Sequence, residues 1–538
     1  MLLKLKKKRK GKRLYMRNVR KIKAKRNLKI QTQKGITLLV LVVTIIVLLI
    51  LAGITIGALT GENGIIKNAR ESKEQTEIAN EKEILEKATV EAMGKNKYGN
   101  IEESELQSAL NKETGDGKTE AVDVGEEFEV LFKESNRYYI VDKDGNIGEA
   151  QDFKEDKSPG DITIGENGEK LDGKTEETAY QIWCIEDLVE WSQNYAKYQD
   201  AYIELRRTLN FKSRLSYTNG KILNCNSIEE LKDLLTNTSG SGFTPINNFK
   251  GTFDGKDFEI QNIYENISGN TSGNAGLFAT AGGTIKNLKL SGNIISSNSF
   301  AGGIVGKSGN NLYISNCINY CNIITTSEKE NANGNLYGSG GGIIGRCTDT
   351  VISNCANIGD INAEYGGGII GYEYASTGIC INCYNKGSIE GKVSAGGIIA
   401  HTTAGAINIY NCYNVGGING SNAGGIMGFK YHNTKAEIKN CYNYSKVKGE
   451  SYQGDIIGYN WAMDISSSPT IENVFFTNQL IGAFGNNSSN VIGTPVYYED
   501  ISNDDIVKQL NNYVDSITNQ DITWRYWTFG TEGYPLFQ

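Results

Sequence analysis

An uninterrupted apolar segment lies near the N-terminus of the chain. Residues 36–59 (ITLLVLVVTIIVLLILAGITIGAL) contain no charged side chain. At about 1.5 Å per residue, a helix of this length covers about 36 Å, which is enough to cross a hydrocarbon core of about 30 Å. A buried helix of a soluble protein would normally show a polar face, and this segment has none. The pattern therefore predicts a transmembrane helix.

Different patterns of apolar positions follow this segment. Up to residue 95, apolar residues recur mainly every three, four or seven positions among charged ones, so the predicted N-terminal helix covers residues 36–95. Residues 96–153 are predicted to form a small α+β segment, with a hairpin built from 128–132 and 138–141. The polar and charged residues 154–175 are predicted to be a linker.

Two short motifs repeat through the second half of the chain. The motif Asn-Cys-x-Asn occurs five times, with successive cysteines 38, 28, 29 and 29 residues apart. Its cysteines are Cys317, Cys355, Cys383, Cys412 and Cys441, and its final asparagines are Asn319, Asn357, Asn385, Asn414 and Asn443. A second motif, Gly-Gly-Ile followed by an apolar residue, alternates with the first. A fixed period of this kind indicates stacked structural repeats.

These repeats predict a right-handed parallel β-helix over residues 176–500, including an N-terminal cap. Like residues then stack at about 4.8 Å from coil to coil, giving an interior ladder of cysteines and an amide ladder of the final asparagines at a corner. Because an open coil exposes sheet edges, residues 501–538 are predicted to form a C-terminal cap. The expected fold class is mainly β, carried on a long N-terminal helix with the small α+β segment between them.

Charge is distributed unevenly and indicates the orientation in the membrane. Residues 1–34 hold 16 Lys or Arg and no acid, which leaves 55 − 16 = 39 basic against 62 acidic residues, or −23, in the remainder. A basic block before an apolar span predicts a single-pass protein of the cell membrane, with a cytoplasmic N-terminus and the bulk of the chain outside the cell. The acidic remainder argues against nucleic acid as a partner.

The residues around the start of the apolar segment resemble the N-terminus of type IV prepilins and pseudopilins. Lys34-Gly35-Ile36-Thr37 follows a basic leader, residues 1–35, and precedes the long apolar helix. The resemblance implies cleavage after Gly35 by a prepilin peptidase, N-methylation of Ile36, and contact with other pilin subunits. Val40 stands where the family usually has Glu, which favours a minor or tip subunit. An uncleaved signal anchor is the alternative.

The repeats resemble the GLUG repeats of bacterial surface proteins. The resemblance covers roughly residues 176–538 and includes Gly251-Thr252-Phe253-Asp254-Gly255 and the C-terminal residues around Gly533-Tyr534-Pro535-Leu536. It indicates a class of repeat and does not identify a ligand, since a fold does not determine a function.

Cysteines and histidines predict neither a metal site nor a cofactor. Ten cysteines in an exported protein would ordinarily suggest disulfides, but five of them occupy one repeat position and are expected to be small buried residues. The Cα–Cα distance between cysteines on neighbouring rungs would still allow a disulfide between them. Cys380-x-x-Cys383 is a poor metal motif in a strand, and His401 and His432 are the only histidines of the chain.

The expected function is ligand binding or adhesion at the cell surface by a protein that is not an enzyme. Tyr384, Tyr413 and Tyr442 follow ladder cysteines, so alternation along the strand would turn them outward in register, towards a glycan or a host or cell-surface protein. Plain ring stacking is the structural alternative. The alternative function is an extracellular β-helix lyase or glycosidase on a signal anchor. Such an enzyme needs paired carboxylates, and acids from different coils could converge.

Overall fold

A computed structural model describes residues 65–538, except for 97–98, 126, 153–159, 269–272, 298, 327–337, 375, 487–489, 500, 502–503 and 519–522. The predicted leader, the transmembrane segment 36–59 and the processing residues Gly35 and Ile36 lie outside the described residues. Within the described part of the chain, none of the helices is both long and apolar enough to cross a membrane.

A small α+β domain follows the start of the described chain. Helices α1 (Ile65–Lys95) and α2 (Glu103–Thr114) pack on an antiparallel sheet in the order β1-β2-β3-β4. Its strands are β1 (Thr119–Asp123), β2 (Glu127–Phe132), β3 (Arg137–Asp142) and β4 (Gln151–Asp152). The predicted hairpin is present as β2 and β3, with Phe128 opposite Val141. Leu85, Ala88 and Leu106 are completely buried in the core of this domain.

A buried ion pair joins the long helix of this domain to its sheet. Arg137 on β3 donates from Nε to Glu81 Oε2 of α1 at 2.9 Å, and Tyr139 donates its hydroxyl proton to the same oxygen at 2.7 Å. The carboxylate of Glu81 raises the pKa of Arg137, and burial raises the pKa of Tyr139. Both side chains therefore stay protonated, and they fix the position of α1 on the sheet.

The prediction of a parallel β-solenoid is confirmed. Four series of short strands stack in parallel along one axis. Within a series, each strand is followed by one full coil of the chain before the next strand of the same series. The completely buried side chains Ile304, Ile343, Ile369, Ile398 and Ile426 come from successive Gly-Gly-Ile motifs and belong to one continuous interior core. Each coil buries its apolar side only against its neighbours, as expected for a repeat protein.

The strands of the solenoid are grouped here by their place in the coil. The first series contains Ile344–Cys347, Ile370–Glu373, Ile399–Thr402, Met427–Lys430 and Ile457–Asn460. The second series contains Tyr180–Ile182, Tyr202–Leu205, Thr252–Asp254, Thr350–Ser353, Ser376–Ile381, Ala404–Tyr410, Asn433–Lys439 and Thr470–Glu472. The long strands Phe278–Lys286 and Val305–Ser315 contribute to both series.

Two further series complete each coil. The third series contains Leu209–Asn210, Ile318–Asn319, Ala356–Asn357, Tyr384–Asn385, Tyr413–Asn414, Tyr442–Asn443, Phe475–Phe476 and Val496–Tyr497. The fourth series contains Phe300–Gly302, Asn322–Thr326, Ser339–Gly341, Ile361–Gly367, Ile389–Gly396, Ile418–Gly424 and Val447–Gly454. The long strands Glu259–Asn266 and Lys289–Ser297 contribute to both series.

The first turns of the solenoid carry helices and part of the predicted linker. Helices α3 (Ile185–Gln193), α4 (Tyr195–Tyr198) and α5 (Ile228–Thr236) interrupt these turns. Trp191 of α3 is completely buried, with ring centroids 5.2–5.6 Å from those of Phe249, Phe253 and Phe278. Ile162, in the sequence predicted to be linker, is also completely buried in the solenoid core, and its carbonyl accepts a hydrogen bond from Gln181.

The C-terminal segment lies along one side of the solenoid. It contains helix α6 (Asp504–Ser516) and a two-stranded hairpin of Trp527–Phe529 and Pro535–Phe537. Ile506, Leu510 and Trp527 form a separate buried cluster with outward-facing residues of the third series. This segment therefore covers a lateral face over several rungs, whereas the sequence analysis expects a cap that covers the edge of the last coil.

Candidate functional site

The Asn-Cys-x-Asn motif builds two asparagine ladders at the coil corners. The first asparagine of each motif has a positive φ between 52° and 55°, a conformation in which Asn is favoured over most residues. Its side chain also donates to the same position on the preceding rung, as from Asn411 Nδ2 to Asn382 Oδ1 at 2.7 Å. The repeat spacing does not reveal this conformational role, but the recurrence of Asn at this position in every repeat is a signal for it.

The final asparagines form a second ladder inside the coil. Asn319, Asn357, Asn385, Asn414 and Asn443 are completely buried. Each of the first four donates from Nδ2 to the next Oδ1 at 2.8 Å. Each of these four also donates to the backbone carbonyl two residues ahead, so this carbonyl of the turn has a hydrogen-bond partner. The last, Asn443, donates to Asp455 Oδ1 at 2.8 Å.

The ladder cysteines are buried thiols. Cys317, Cys355, Cys383, Cys412 and Cys441 are completely inaccessible to solvent and carry no disulfide. Cys383 and Cys412 point along the stack, where each sulfur accepts a hydrogen bond from a backbone amide of the preceding rung at 3.4 Å. Burial raises the pKa of Cys412 well above its usual value. These thiols pack in the core and are not accessible to solvent.

The predicted tyrosine stripe is present but is not exposed. Tyr384 stacks on Tyr413 with ring centroids 4.9 Å apart, and Tyr413 stacks on Tyr442 at 5.1 Å. Tyr413 and Tyr442 are only 1% and 0% exposed, because the C-terminal segment covers them. The expectation of an open binding surface at these tyrosines is therefore wrong for Tyr413 and Tyr442, and Tyr384 is only partly exposed.

Specific contacts hold the C-terminal segment over these tyrosines. Trp527 places its ring 5.7 Å from the rings of both Tyr413 and Tyr442, and its Nε1 donates to Asn411 Oδ1 at 2.8 Å. Tyr442 donates its hydroxyl proton to the carbonyl of Pro535. The first-asparagine ladder thus serves a second purpose, since its amides bond to the covering segment as well as to each other.

A second aromatic stack lies on the first strand series, whereas the described residues of the C-terminal segment pack against the third series. We call Tyr372, His401, Phe429 and Tyr459 the aromatic column. They occupy register-paired positions on successive rungs, and neighbouring ring centroids are 5.2, 4.5 and 5.0 Å apart with planes within 17° of parallel. All four are partly exposed. The column spans about 14 Å, or three rung spacings of about 4.8 Å.

The aromatic column has a sequence signal that the periodicity analysis overlooked. Each ring is the last residue of a six-residue glycine motif, in the segments 367–372 (GGIIGY), 396–401 (GGIIAH), 424–429 (GGIMGF) and 454–459 (GDIIGY). A Cβ at Gly371 or Gly428 would come within 2.4–2.8 Å of atoms on neighbouring rungs, so the chain is closely packed immediately before each ring. Aromatic residues that recur at the same place in such a closely packed motif are therefore expected to stack from coil to coil.

Two more tyrosines stand across the ends of the column. The ring of Tyr365 makes an angle of 67° with that of Tyr372, and the ring of Tyr452 makes an angle of 63° with that of Tyr459. Tyr452 is 39% exposed. The partly exposed amide of Asn422 lies between the two tyrosines in the same register row. The surface thus combines ring edges, ring faces and a polar group in one narrow strip.

His401 is a neutral aromatic ring in this column. Burial between Tyr372 and Phe429 lowers its pKa to about 3, because desolvation disfavours the charged imidazolium. His401 is therefore uncharged at neutral pH. It contributes an aromatic surface and neither a positive charge nor an acid–base group.

Charged residues converge on the second series near the N-terminal end of the solenoid. Glu204 and Asp254 are register neighbours on adjacent strands, and Lys256 Nζ lies 3.3 Å from an oxygen of each and of Glu176. Lys286 pairs with Asp254 at 3.2 Å. Acids separated in sequence thus meet in space, although these carboxylates are ion-paired. Hydrogen bonds to Asn287 and the lysines lower the pKa of Asp254 despite its burial.

The described residues contain no group of three or more His, Cys, Asp or Glu side chains arranged to hold a metal ion. His401 lies within the aromatic column. His432 lies in a turn outside the column, where its ring centroid is 4.3 Å from that of Tyr431 and 4.9 Å from that of Trp461.

Comparisons with known proteins concern the fold. No family model and no curated protein matches the chain. A crystal structure from Bacteroides ovatus, called "a putative immunoglobulin A1 protease", is 21% identical, with a TM-score of 0.37, over 69% of this chain and 95% of that one. A second solved structure, "IgA1 Protease", is 13% identical, with a TM-score of 0.27, over 71% of this chain and 27% of that one.

The names of both solved structures are those of enzymes. They contradict the expectation that this chain is not an enzyme. At such identities and TM-scores the likeness extends to the fold and assigns no substrate or reaction to this chain.

Proposed function

We propose that this chain is a pilin-like surface protein whose β-solenoid binds an extended glycan along the aromatic column. The observation that carries the proposal is the contrast between the two aromatic stacks. The C-terminal segment covers the stack of Tyr413 and Tyr442, whereas Tyr372, His401, Phe429 and Tyr459 are each partly exposed on four successive rungs. Partly exposed rings in a continuous strip favour a binding surface.

The shape of the strip favours a glycan over a protein partner. Stable protein interfaces usually bury about 800 Å² on each side, with a broad apolar core. The aromatic column is about one ring wide and about 14 Å long. The stacked rings of the column cover one another's faces and present their edges, whereas the ring of Tyr452, which is 39% exposed and stands across the end of the column, can pack against the C–H face of a sugar. The amide of Asn422 can hydrogen-bond to sugar hydroxyls, although its Nδ2 also donates to the carbonyl of Val393.

The pilin-like part of the proposal rests on the N-terminal sequence. The described part of helix α1, Ile65–Lys95, follows the apolar segment 36–59 in the sequence and belongs to the domain that contains the antiparallel sheet. A helix that leaves a membrane and then packs on a small sheet would hold the solenoid away from the cell surface. The basic leader and the residues around Gly35 support processing and membrane insertion.

The binding proposal is tested with the full-length, detergent-solubilised protein on an array of extended oligosaccharides. Tyr452→Ala removes an exposed ring that stands across the end of the column. The control is Tyr526→Ala, which removes a 45% exposed ring from the C-terminal segment, where its hydroxyl donates to Asp515. We expect about tenfold weaker binding for Tyr452→Ala and unchanged binding for the control. Equal binding by both variants, or no binding by the parent protein, would contradict the proposal.

The pilin-like proposal is tested by N-terminal mass spectrometry of protein displayed on cells. Processing predicts a mature chain that begins with N-methylated Ile36. A displayed chain that keeps its leader from Met1 would instead identify a signal anchor. A Gly35→Ala variant should block processing in the first case and change nothing in the second.

The second candidate is a β-helix enzyme acting on extracellular carbohydrate. The convergence of Glu204 and Asp254 beside Lys256 favours it, because such enzymes use paired carboxylates or acids with a basic residue. Incubation with the oligosaccharides that bind would reveal shortened products. Loss of those products in Glu204→Gln, with binding retained, would establish catalysis at this cluster, and intact oligosaccharides would rule it out for these substrates.

A further inference from the structure

Arg346 extends the row of the aromatic column by one rung. It is the register partner of Tyr372 and ends its own glycine motif, 341–346 (GGIIGR). Its guanidinium carbon lies 4.1 Å from the ring centroid of Tyr374 and 5.1 Å from that of Phe300. Two ring faces therefore hold the planar cation in place, which is an arrangement that suits Arg better than Lys.

The guanidinium of Arg346 has no anionic partner among the described residues. No hydrogen bond or ion pair involves it there, and its Nε is buried without an acceptor. A guanidinium carries five N–H donors in a fixed fork, and with the Nε donor buried, the four donors on the two Nη atoms are available at the end of the column. Tyr374, which covers one side, is itself 46% exposed, so the site opens to solvent.

A second cation continues the same row. Lys307 is the register partner of Arg346 and ends the preceding glycine motif, 302–307 (GGIVGK). It forms no ion pair with a described residue and is partly exposed. From one end to the other, the row therefore reads Lys, Arg and then four aromatic rings. Lys307 lies two rungs, or about 10 Å, from Tyr372.

We propose that Arg346, with Lys307, forms an anion subsite for an acidic group on the glycan that the column binds. One sugar ring packs on the aromatic strip while the carboxylate or sulfate of a sugar further along the chain accepts hydrogen bonds from the guanidinium. Arginine binds planar carboxylates through two parallel hydrogen bonds, and the rings of Phe300 and Tyr374 hold its fork in the required plane. This inference rests on the proposed glycan-binding function.

The test compares three oligosaccharides with the same backbone: one with hexuronate units, its carboxyl-reduced neutral form, and a sulfated neutral form. Binding to the full-length protein is measured for the parent, Arg346→Gln and Arg346→Lys. The control Lys212→Gln removes a positive charge from an exposed side chain on another part of the solenoid. Thermal unfolding of each variant checks that it is folded.

We expect the acidic chain to bind about tenfold more tightly than the neutral chain. Arg346→Gln should abolish this preference and leave neutral binding unchanged, Arg346→Lys should retain part of it, and Lys212→Gln should have no effect. Whether the hexuronate or the sulfated chain gains more identifies the anion. Neutral binding without any acidic preference, or a preference that Arg346→Gln leaves intact, overturns the anion subsite but not the glycan-binding column. Absence of all binding refutes the column itself.

Discussion

The buried amide ladder makes a quantitative prediction for Asn414→Ala. Asn414 accepts a hydrogen bond from Asn385 at 2.8 Å and donates to Asn443 at 2.8 Å, to Gly416 O at 3.0 Å and to Ser445 Oγ at 2.9 Å. Its side chain is completely buried. The two Nδ2 protons are shared among these three acceptors. Alanine removes all of these contacts and leaves the buried Asn385, Asn443 and Gly416 with one partner fewer and no access to water. A typical hydrogen bond contributes about 1 kcal/mol net, and a buried group left unpaired costs about 1–3 kcal/mol.

The free energy of local unfolding should therefore fall by about 3 kcal/mol, and only in the rungs that Asn414 joins. Alanine keeps the backbone conformation accessible, because Asn414 is not among the positive-φ residues. Asn322→Ala is the matched control. Asn322 also bonds to the neighbouring rung, at 3.3 Å to Asn293 Oδ1, but its side chain is exposed. A surface substitution of this kind should cost less than about 0.5 kcal/mol.

Amide hydrogen exchange with mass spectrometry measures this loss rung by rung. Repeat proteins open in local units, so a single midpoint of global unfolding would average the effect away. Peptides that contain Gly416 and Ser445 should exchange faster by the expected amount, while peptides from β2 and β3 of the small domain serve as an internal reference. An effect of Asn414→Ala no larger than that of Asn322→Ala would refute a stabilising role for the ladder.

Three further predictions concern other parts of the molecule. Trp527→Ala should loosen the C-terminal segment and speed its proteolysis, because the variant loses ring contacts with Tyr413 and the bond to Asn411, while the solenoid itself stays resistant. A thiol-alkylating reagent should modify the partly exposed Cys225 before any buried cysteine, and simultaneous modification of all ten would contradict the packing. The pKa of His401 is lowered from its usual value of 6.5 to about 3, so between these pH values the unfolded state binds a proton at His401 and the folded state does not. The free energy of unfolding should therefore fall as the pH decreases from 6.5 towards 3, by up to about 1.4 kcal/mol per pH unit. His401→Tyr should remove that slope in urea unfolding measured from pH 7 to pH 4, and an unchanged slope would show that His401 is not its source.

The solenoid follows from sequence because its contacts repeat. A period of 29 residues brings each residue opposite its counterpart one coil later, as when Tyr384 pairs with Tyr413 and Tyr413 with Tyr442. Only the repeat period and the inward–outward alternation of side chains along one strand need to be identified, because every other rung shows the same pattern. The buried cysteines and the final-asparagine ladder lie where that logic places them. The same logic applied to the glycine motif would also have found the aromatic column.

The position of the C-terminal segment could not be predicted in this way. Trp527 and Asn411 are 116 residues apart, and the segment that carries Trp527 has no repeat from which a register could be read. Its apolar residues indicate that it packs on the solenoid but not where. It could pack on the edge of the last coil or on the outward tyrosines of the third series, and side chains alternate in the same way on a covered face and on an open one. The alternation therefore predicts that Tyr413 points outward, but it does not predict whether Tyr413 is accessible to solvent.

This difference decides which aromatic stack serves as a surface. A stack of rings stabilises a sheet whether or not anything covers it, since each pair contributes about 0.5–1.5 kcal/mol. Stability alone therefore explains neither why the C-terminal segment covers the tyrosines of the third series nor why the column of Tyr372, His401, Phe429 and Tyr459 stays open. Leaving four rings partly exposed has a cost in solubility. That cost, together with Arg346 held between two rings at the end of the same row, is better explained by a ligand than by the fold.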